Sequence, residues 1–120
     1  MNVNYYEERP WGSFENLLDE EYCKVKRIIV KPGHKLSYQF HYKRRETWVI
    51  VQGVATVTLN GSTYDYEEGY SVQIPKQMKH RVENKSKEDL IFIETQTGTY
   101  FGEDDIVRIE DDYGRDSNEN

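Results

Sequence analysis

A single all-β domain, closed into a barrel or folded as a sandwich, is predicted by three observations. Short β-rich runs follow one another along most of the 120 residues. Turn signals separate them, and no long helical periodicity competes. Each short antiparallel strand has one face to bury, so a series of them closes on itself or packs as two sheets. A chain of this length supports one domain with a real core and needs no disulfide for it.

The elements follow in order. Residues 22–31 read as a strand that ends at Pro32-Gly33. Residues 36–42 form a second, with Ser37, Gln39 and His41 on one face and Leu36, Tyr38, Phe40 and Tyr42 on the other. Residues 47–52 and 54–59 make two more around Gly53. Asn60-Gly61 is the strongest hairpin signal, since both residues tolerate the positive φ of a type I′ turn. Residues 63–66, 71–74, 79–83 and 90–97 complete the series. Inward side chains of neighbouring barrel strands converge on the axis, so Gln39 and His41 can meet His80 across the interior. There is no internal repeat and no sign of a second domain. The domain is expected over residues 1–115, with an acidic, disordered tail at 116–120.

Composition excludes several partners. Twenty-two acidic against 16 basic residues leave a net charge of −6, which opposes binding to nucleic acid or an anionic membrane. An anionic small molecule can bind only where basic groups converge locally. The ten tyrosines mean that amphipathic rings supply much of the buried area. The lone Cys23 excludes an internal disulfide and fits a reducing compartment. No stretch is apolar for long enough to span a bilayer, and the N-terminal MNVNYYEERP lacks a signal-peptide core. A cytoplasmic protein is expected.

The chemistry concentrates in two spaced segments. Gly33 is followed after five residues by Gln39-x-His41, then after four by Glu46 and after six by Gly53. Gly69 is followed after five residues by Pro75, after four by His80 and after three by Asn84. A lone strand histidine is more often structural than a ligand, but two of the chain's three histidines fall on this pattern. Two imidazoles, one carboxylate and one amide oxygen suit a divalent cation, zinc first and manganese or cobalt as alternatives. The lack of cysteine argues against a closed structural zinc site. His34 lies outside both segments and reads as a loop residue.

These segments resemble the paired motifs of the cupin family, G-x5-H-x-H-x4-E-x6-G and G-x5-P-x-G-x2-H-x3-N. Gln39 replaces the usual first histidine and Gln77 the usual glycine, and the resemblance implies metal ligands at Gln39, His41, Glu46 and His80. A closer resemblance rests on Arg9-Pro10-Trp11-Gly12-Ser13, residues 22–27 (YCKVKR), Leu36-Ser37-Tyr38-Gln39 and Arg44-Arg45-Glu46-Thr47-Trp48. It continues through Ile74-Pro75, His80-Arg81, Glu83-Asn84, residues 94–98 (ETQTG) and the closing run from Gly102 to Arg115. Together these resemble the type II mannose-6-phosphate isomerase domain, which forms the C-terminal part of bifunctional guanylyltransferase/isomerase proteins. Thr47 and Phe14 depart from the common histidine and tyrosine, and strand parity turns Thr47 away from Glu46.

The resemblance implies a cupin barrel, that is, a jelly-roll or double-stranded β-helix. It also implies metal-dependent conversion of mannose 6-phosphate to fructose 6-phosphate in GDP-mannose and polysaccharide precursor metabolism. Guanylyl transfer is not expected of this chain, because no glycine-rich nucleotide loop or βαβ pattern is present. A metal in an open site polarises a carbonyl and holds a developing oxyanion. Arg44, Arg108, Lys24 and Lys26 are the candidate phosphate anchors, with arginine's planar fork favoured. Lys24 and Lys26 share a strand face, but a two-residue period does not say whether that face looks inward. Arg108 also stands as a catalytic residue by the resemblance. Glu94, which interrupts the apolar run 90–93, is the first choice for the proton-transfer base, with Lys24 as an alternative. Most of Glu103-Asp104-Asp105 is expected in turn or solvent. A sugar phosphate is the expected small-molecule partner, and the row Leu36-Tyr38-Phe40 suits a homodimer interface. A non-catalytic sugar-phosphate-binding cupin is the main alternative. A dioxygenase is a weaker one, since iron sites of that kind favour histidine and carboxylate over an amide.

Overall fold

The computed structural model describes residues 5–110. The expected tail at 116–120 and the last residues of the domain lie outside them. Eleven strands and no helix make up this region: β1 (Tyr6–Arg9), β2 (Gly12–Asp19), β3 (Lys24–Val30), β4 (Tyr38–Phe40), β5 (Arg44–Gln52), β6 (Ala55–Leu59), β7 (Ser62–Tyr66), β8 (Ser71–Ile74), β9 (His80–Glu83), β10 (Leu90–Gly98) and β11 (Val107–Glu110). They form two antiparallel sheets, ordered β1-β2-β3-β10-β5-β8 and β11-β4-β9-β6-β7. No helix among the described residues is long and apolar enough to cross a membrane.

Alternation builds the core. β3 and β10 bury every second side chain along most of their length, so Ile28 and Val30 face the same interior as Leu90 and Phe92. Trp48 and Ile50 of β5, Val72 and Ile74 of β8, and Val57 and Val82 of the second sheet close the cluster. Trp48 stacks on Phe92 with ring centroids 4.7 Å apart. Apolar packing fills one end of the interior, and the same inward parity continues along β3, β5 and β10 into polar residues at the other end.

The turns behave as their residues dictate. Asn60 and Gly61 take φ of 47° and 89°, the left-handed pair expected for the β6–β7 hairpin. Gln77 has φ of 68°, which accounts for glycine in that position of the cupin pattern. Its N–H donates to the carbonyl of His41 at 2.7 Å, tying the second motif to the first. Asn84 is a structural staple. It is fully buried, donates to the carbonyls of Val30 and Glu88 at 2.8 and 2.7 Å, and accepts from the N–H and hydroxyl of Ser86.

Two expectations are corrected. The sequence reading placed no strand before residue 22, yet β1 and β2 extend the larger sheet, with Phe14 opposite Ile28. Their mixed polar and acidic sequence hides them, because β1 sits at an edge and β2 carries a register shift between Asn16 and Leu18. The strand expected over residues 36–42 shrinks to three residues, preceded by a single bridge from Lys35 to Glu83. Two-residue parity therefore does not run through Leu36, which packs on the core and does not join an outward row with Tyr38 and Phe40. β11 pairs alongside β4 and leaves both of those rings only partly exposed.

Candidate metal and anion site

β4 and β9 lie side by side with Gln39 opposite His80, and β5 faces them from the other sheet. His41, Glu46 and His80 are all buried, and their ligand atoms lie within 4.8 Å of one another. His41 Nδ1 is 3.6 Å from Glu46 Oε2, and His80 Nε2 is 3.9 Å from Glu46 Oε1. Three of the four expected ligands thus converge. Gln39 lines the same pocket, with its amide nitrogen donating to Ser37 Oγ at 2.9 Å.

The protonation pattern of this cluster fits a cation. His80 Nδ1 lies 2.9 Å from the carbonyl of Met78. Only an N–H can bond a carbonyl, so Nε2 of neutral His80 presents a lone pair towards Glu46. Burial holds His80 below its ordinary pKa and lowers that of His41 to about 3. His41 Nε2 is buried without a hydrogen bond. Two neutral imidazoles and an ionised carboxylate therefore meet in one buried cluster, the nitrogen and oxygen set a borderline divalent ion takes.

Glu46 is ionised for a clear reason. Burial alone would raise its pKa, but the Arg44 guanidinium and a hydrogen bond from Glu94 hold it well below the usual carboxylate range. Arg44 donates to Oε2 from Nε at 2.9 Å and places a terminal nitrogen at 2.8 Å. Trp48 donates its indole N–H to Oε1 at 2.9 Å. Arg44, Glu46 and Trp48 alternate along β5, so the two-residue period of one strand aims all three inward. Thr47 points away, as parity required, and its hydroxyl bonds Gln73 at 3.0 Å.

Glu94 lies beside Glu46 in the barrel wall. Burial, the charge of Glu46 and the hydrogen bond between the two carboxyl groups push its pKa up to about 8. A hydrogen bond between two carboxyl groups needs a proton, and Glu94 carries it. The buried Gln96, two residues on, donates to Glu94 Oε1 at 3.1 Å. Gln96 was not anticipated, although its spacing from Glu94 puts it on the same inward face.

The structure settles the direction of the two lysines. Lys24 and Lys26 are 8% and 5% exposed, facing inward from β3. Glu94 stands opposite Lys26 and Gln96 opposite Lys24. Lys26 Nζ is 2.6 Å from Glu103 Oε2 and 4.4 Å from the centroid of the Phe14 ring. Lys24 Nζ is 3.6 Å from the same oxygen and donates to the carbonyl of Phe101 at 3.4 Å. Arg44 and Arg108 also line the pocket, with Arg108 opposite Gln39 across β4 and β11. His34 stays in the turn after β3, bonded to Lys31 and Asn84 through its backbone.

The acidic run lies in a turn, as expected for most of it, and Glu103 is the one member that also lines the site. Asp104 accepts from the Tyr100 hydroxyl, and Asp105 accepts the N–H groups of Tyr42 and Lys43 at 3.1 and 2.9 Å. Glu103 instead reaches the basic cluster. The protein packed around this half-exposed carboxylate would raise its pKa, but Lys26, Arg44 and Lys24 outweigh that and lower it to about 2. No local sequence signal marks it, because its partners lie in distant strands.

The family model described as "Mannose-6-phosphate isomerase C-terminal" matches residues 2–111. A mannose-1-phosphate guanylyltransferase of Salmonella montevideo is 49% identical over 107 residues, covering 89% of this chain and 23% of its own length. The xanthan biosynthesis protein XanB of Xanthomonas campestris and the alginate biosynthesis protein AlgA of Pseudomonas aeruginosa are each 47% identical. Each alignment covers 89% of this chain, with 23% of XanB and 22% of AlgA. The chain thus spans under a quarter of the length of these relatives. Among solved structures, the capsular polysaccharide assembling protein CapF of Staphylococcus aureus superposes with a TM-score of 0.79 at 21% identity, over 92% of this chain and 35% of that one. A cupin barrel protein of Salinispora arenicola gives 0.64 at 19% identity, over 70% and 73%. These likenesses establish the cupin fold. The expectation that this chain interconverts mannose 6-phosphate and fructose 6-phosphate is overturned. Its relatives at nearly half identity are named for guanylyl transfer and for xanthan and alginate biosynthesis.

Proposed function

The chain belongs to the mannose-6-phosphate isomerase C-terminal family, and from that premise we propose that it is a metal-holding cupin domain that binds a sugar phosphate. Its place is the supply of activated mannose for polysaccharide synthesis, the setting in which its relatives are named. One observation carries the reading. The buried cations Lys24, Lys26 and Arg44 converge beside a His41–Glu46–His80 donor set in a chain of net charge −6. Buried lysines are costly without an anion to meet, and this concentration opposes the acidic balance of the rest of the molecule.

His41, Glu46 and His80 would hold the ion, with Gln39 supplying an amide oxygen. Zinc is the ion best suited to this nitrogen and oxygen set. Bound there, a divalent ion would supply Lewis-acid polarisation of a sugar oxygen. The protein's own residues do the rest. Lys24, Lys26 and Arg108 draw in the phosphate, Arg44 and Trp48 fix Glu46, and Gln96 orients the proton-bearing Glu94.

Calorimetric titration of zinc-loaded protein with mannose 1-phosphate, mannose 6-phosphate and inorganic phosphate tests this reading. Saturable binding of at least one sugar phosphate, weakened in Lys26→Met, is expected. Absence of binding by all three ligands sinks it.

A further inference from the structure

We propose that Glu103 is a built-in stand-in for the ligand's phosphate, occupying the lysine cluster until an incoming oxyanion takes its place. This inference rests on the sugar-phosphate reading and adds the device that sets affinity at the same site. Three features of the molecule support it.

The first is geometry. The Glu103 carboxylate meets Lys26 at 2.6 Å and Lys24 at 3.6 Å, and its other oxygen lies 3.9 Å from Arg44. Three cations from two strands around one pair of oxygens is the arrangement an oxyanion adopts among basic side chains. The second is origin. The lysines and Arg44 are built into the barrel wall and buried, whereas the Glu103 side chain is 51% exposed. It enters from the mouth, where a ligand would also enter.

The third is the mounting of the loop between β10 and β11. Thr99 donates its N–H to the Lys43 carbonyl at 3.0 Å, and Asp105 donates its own to Gly102 at 3.1 Å. The Asp105 carboxylate caps Tyr42 and Lys43, and Tyr100 bonds Asp104. The backbone on both sides of Glu103 is therefore fastened down. Releasing the carboxylate requires rotation of one long, half-exposed side chain and no opening of the loop. Arg44 is already committed to Glu46, so Lys24 and Lys26 are the two charges that pass from Glu103 to the ligand.

Competition of this kind lowers apparent affinity by the fraction of molecules whose cluster is free. Titration of inorganic phosphate into folded, zinc-loaded wild type, Glu103→Gln, Glu103→Asp and Asp104→Asn reads it directly, with circular dichroism confirming the fold of each. Glu103→Gln should bind phosphate about tenfold more tightly. Glu103→Asp keeps the charge but is one methylene shorter, and should gain in the same direction. Asp104→Asn removes the same charge from the same loop and should stay near wild type. An unchanged or weaker Glu103→Gln overturns the proposal, because Glu103 would then organise the lysines and not compete with the ligand. An equal gain in Asp104→Asn also overturns it, since bulk charge would explain the effect. Binding by wild type without a gain in Glu103→Gln removes this inference alone. Absence of phosphate binding in all four proteins overturns this inference, and the sugar-phosphate reading falls with it only when mannose 1-phosphate and mannose 6-phosphate also fail to bind.

Discussion

Arg44 and Glu46, two residues apart on β5, form a buried ion pair in which the guanidinium grips a single carboxylate oxygen from Nε at 2.9 Å and from a terminal nitrogen at 2.8 Å. This pair sets the charge state of the donor cluster and links it to the basic side of the pocket. Removing the guanidinium strands a buried carboxylate. Arg44→Ala should lose about 3–5 kcal/mol of stability, measured by denaturant unfolding of the metal-free protein. Arg44→Lys should recover only part of it, because the fork is lost while the charge stays. A loss below about 1 kcal/mol, the range of an exposed pair, would show that Glu46 is ionised by other means.

Divalent metal should raise the melting temperature of the wild-type protein and leave His41→Ala and His80→Ala unmoved. An ion at a hundred times its dissociation constant stabilises by about 2.7 kcal/mol. Thermal scans with zinc, and with a chelator, check this. An equal rise in both histidine variants would place the ion elsewhere.

Glu103 also makes a prediction in acid. Its pKa is lowered from 4.5 to about 2, so the folded state binds its proton less readily than the unfolded chain. The stabilisation is complete above pH 4.5 and is lost as pH falls towards 2. Wild type should be more stable than Glu103→Gln at neutral pH, and the gap should close across that window. A gap that is constant with pH would mean that the carboxylate's charge is not what Lys26 senses.

Arg108 lines the pocket from β11. Arg108→Ala should weaken sugar-phosphate binding at least tenfold, an effect of about 1.4 kcal/mol, with metal content unchanged. Arg108→Lys should remain clearly impaired, since an ammonium cannot present two parallel N–H donors. Near-wild-type affinity in both variants would leave the anchoring to the lysines.

Gln77 holds a left-handed backbone with φ of 68°, which costs a residue with a Cβ about 1–2 kcal/mol. Gln77→Gly should therefore stabilise the protein by up to about 1 kcal/mol, after the greater chain entropy of glycine is subtracted. The Gln77-to-His41 bond is made by the backbone N–H, so the metal site should be untouched. A fall in melting temperature would show that the Gln77 side chain matters more than its φ.

The fold class and the donor cluster were legible in the linear chain because both follow from local rules. Strand parity alone turns Thr47 away from Glu46. Left-handed Asn60-Gly61 closes its hairpin wherever it occurs, and the spacing of His41, Glu46 and His80 needed only a closed barrel to bring them together. The expected Leu36–Tyr38–Phe40 row failed where that rule lapsed, at the short, irregular entry to β4. Other features were decided by the tertiary structure. The two-residue period put Lys24 and Lys26 on one face, but only the packing of β3 against β10 turned that face inward. β1 and β2 carry no clear apolar alternation and exist as strands because β3 offers β2 an edge and β2 in turn offers one to β1. Glu103 lies 77 residues along the chain from Lys26, and nothing in its acidic neighbourhood distinguishes it from Asp104. It enters the site because the β10–β11 connection brings its carboxylate within 2.6 Å of Lys26 and 3.6 Å of Lys24, buried ammonium groups whose desolvation is relieved by whichever carboxylate the backbone brings within reach.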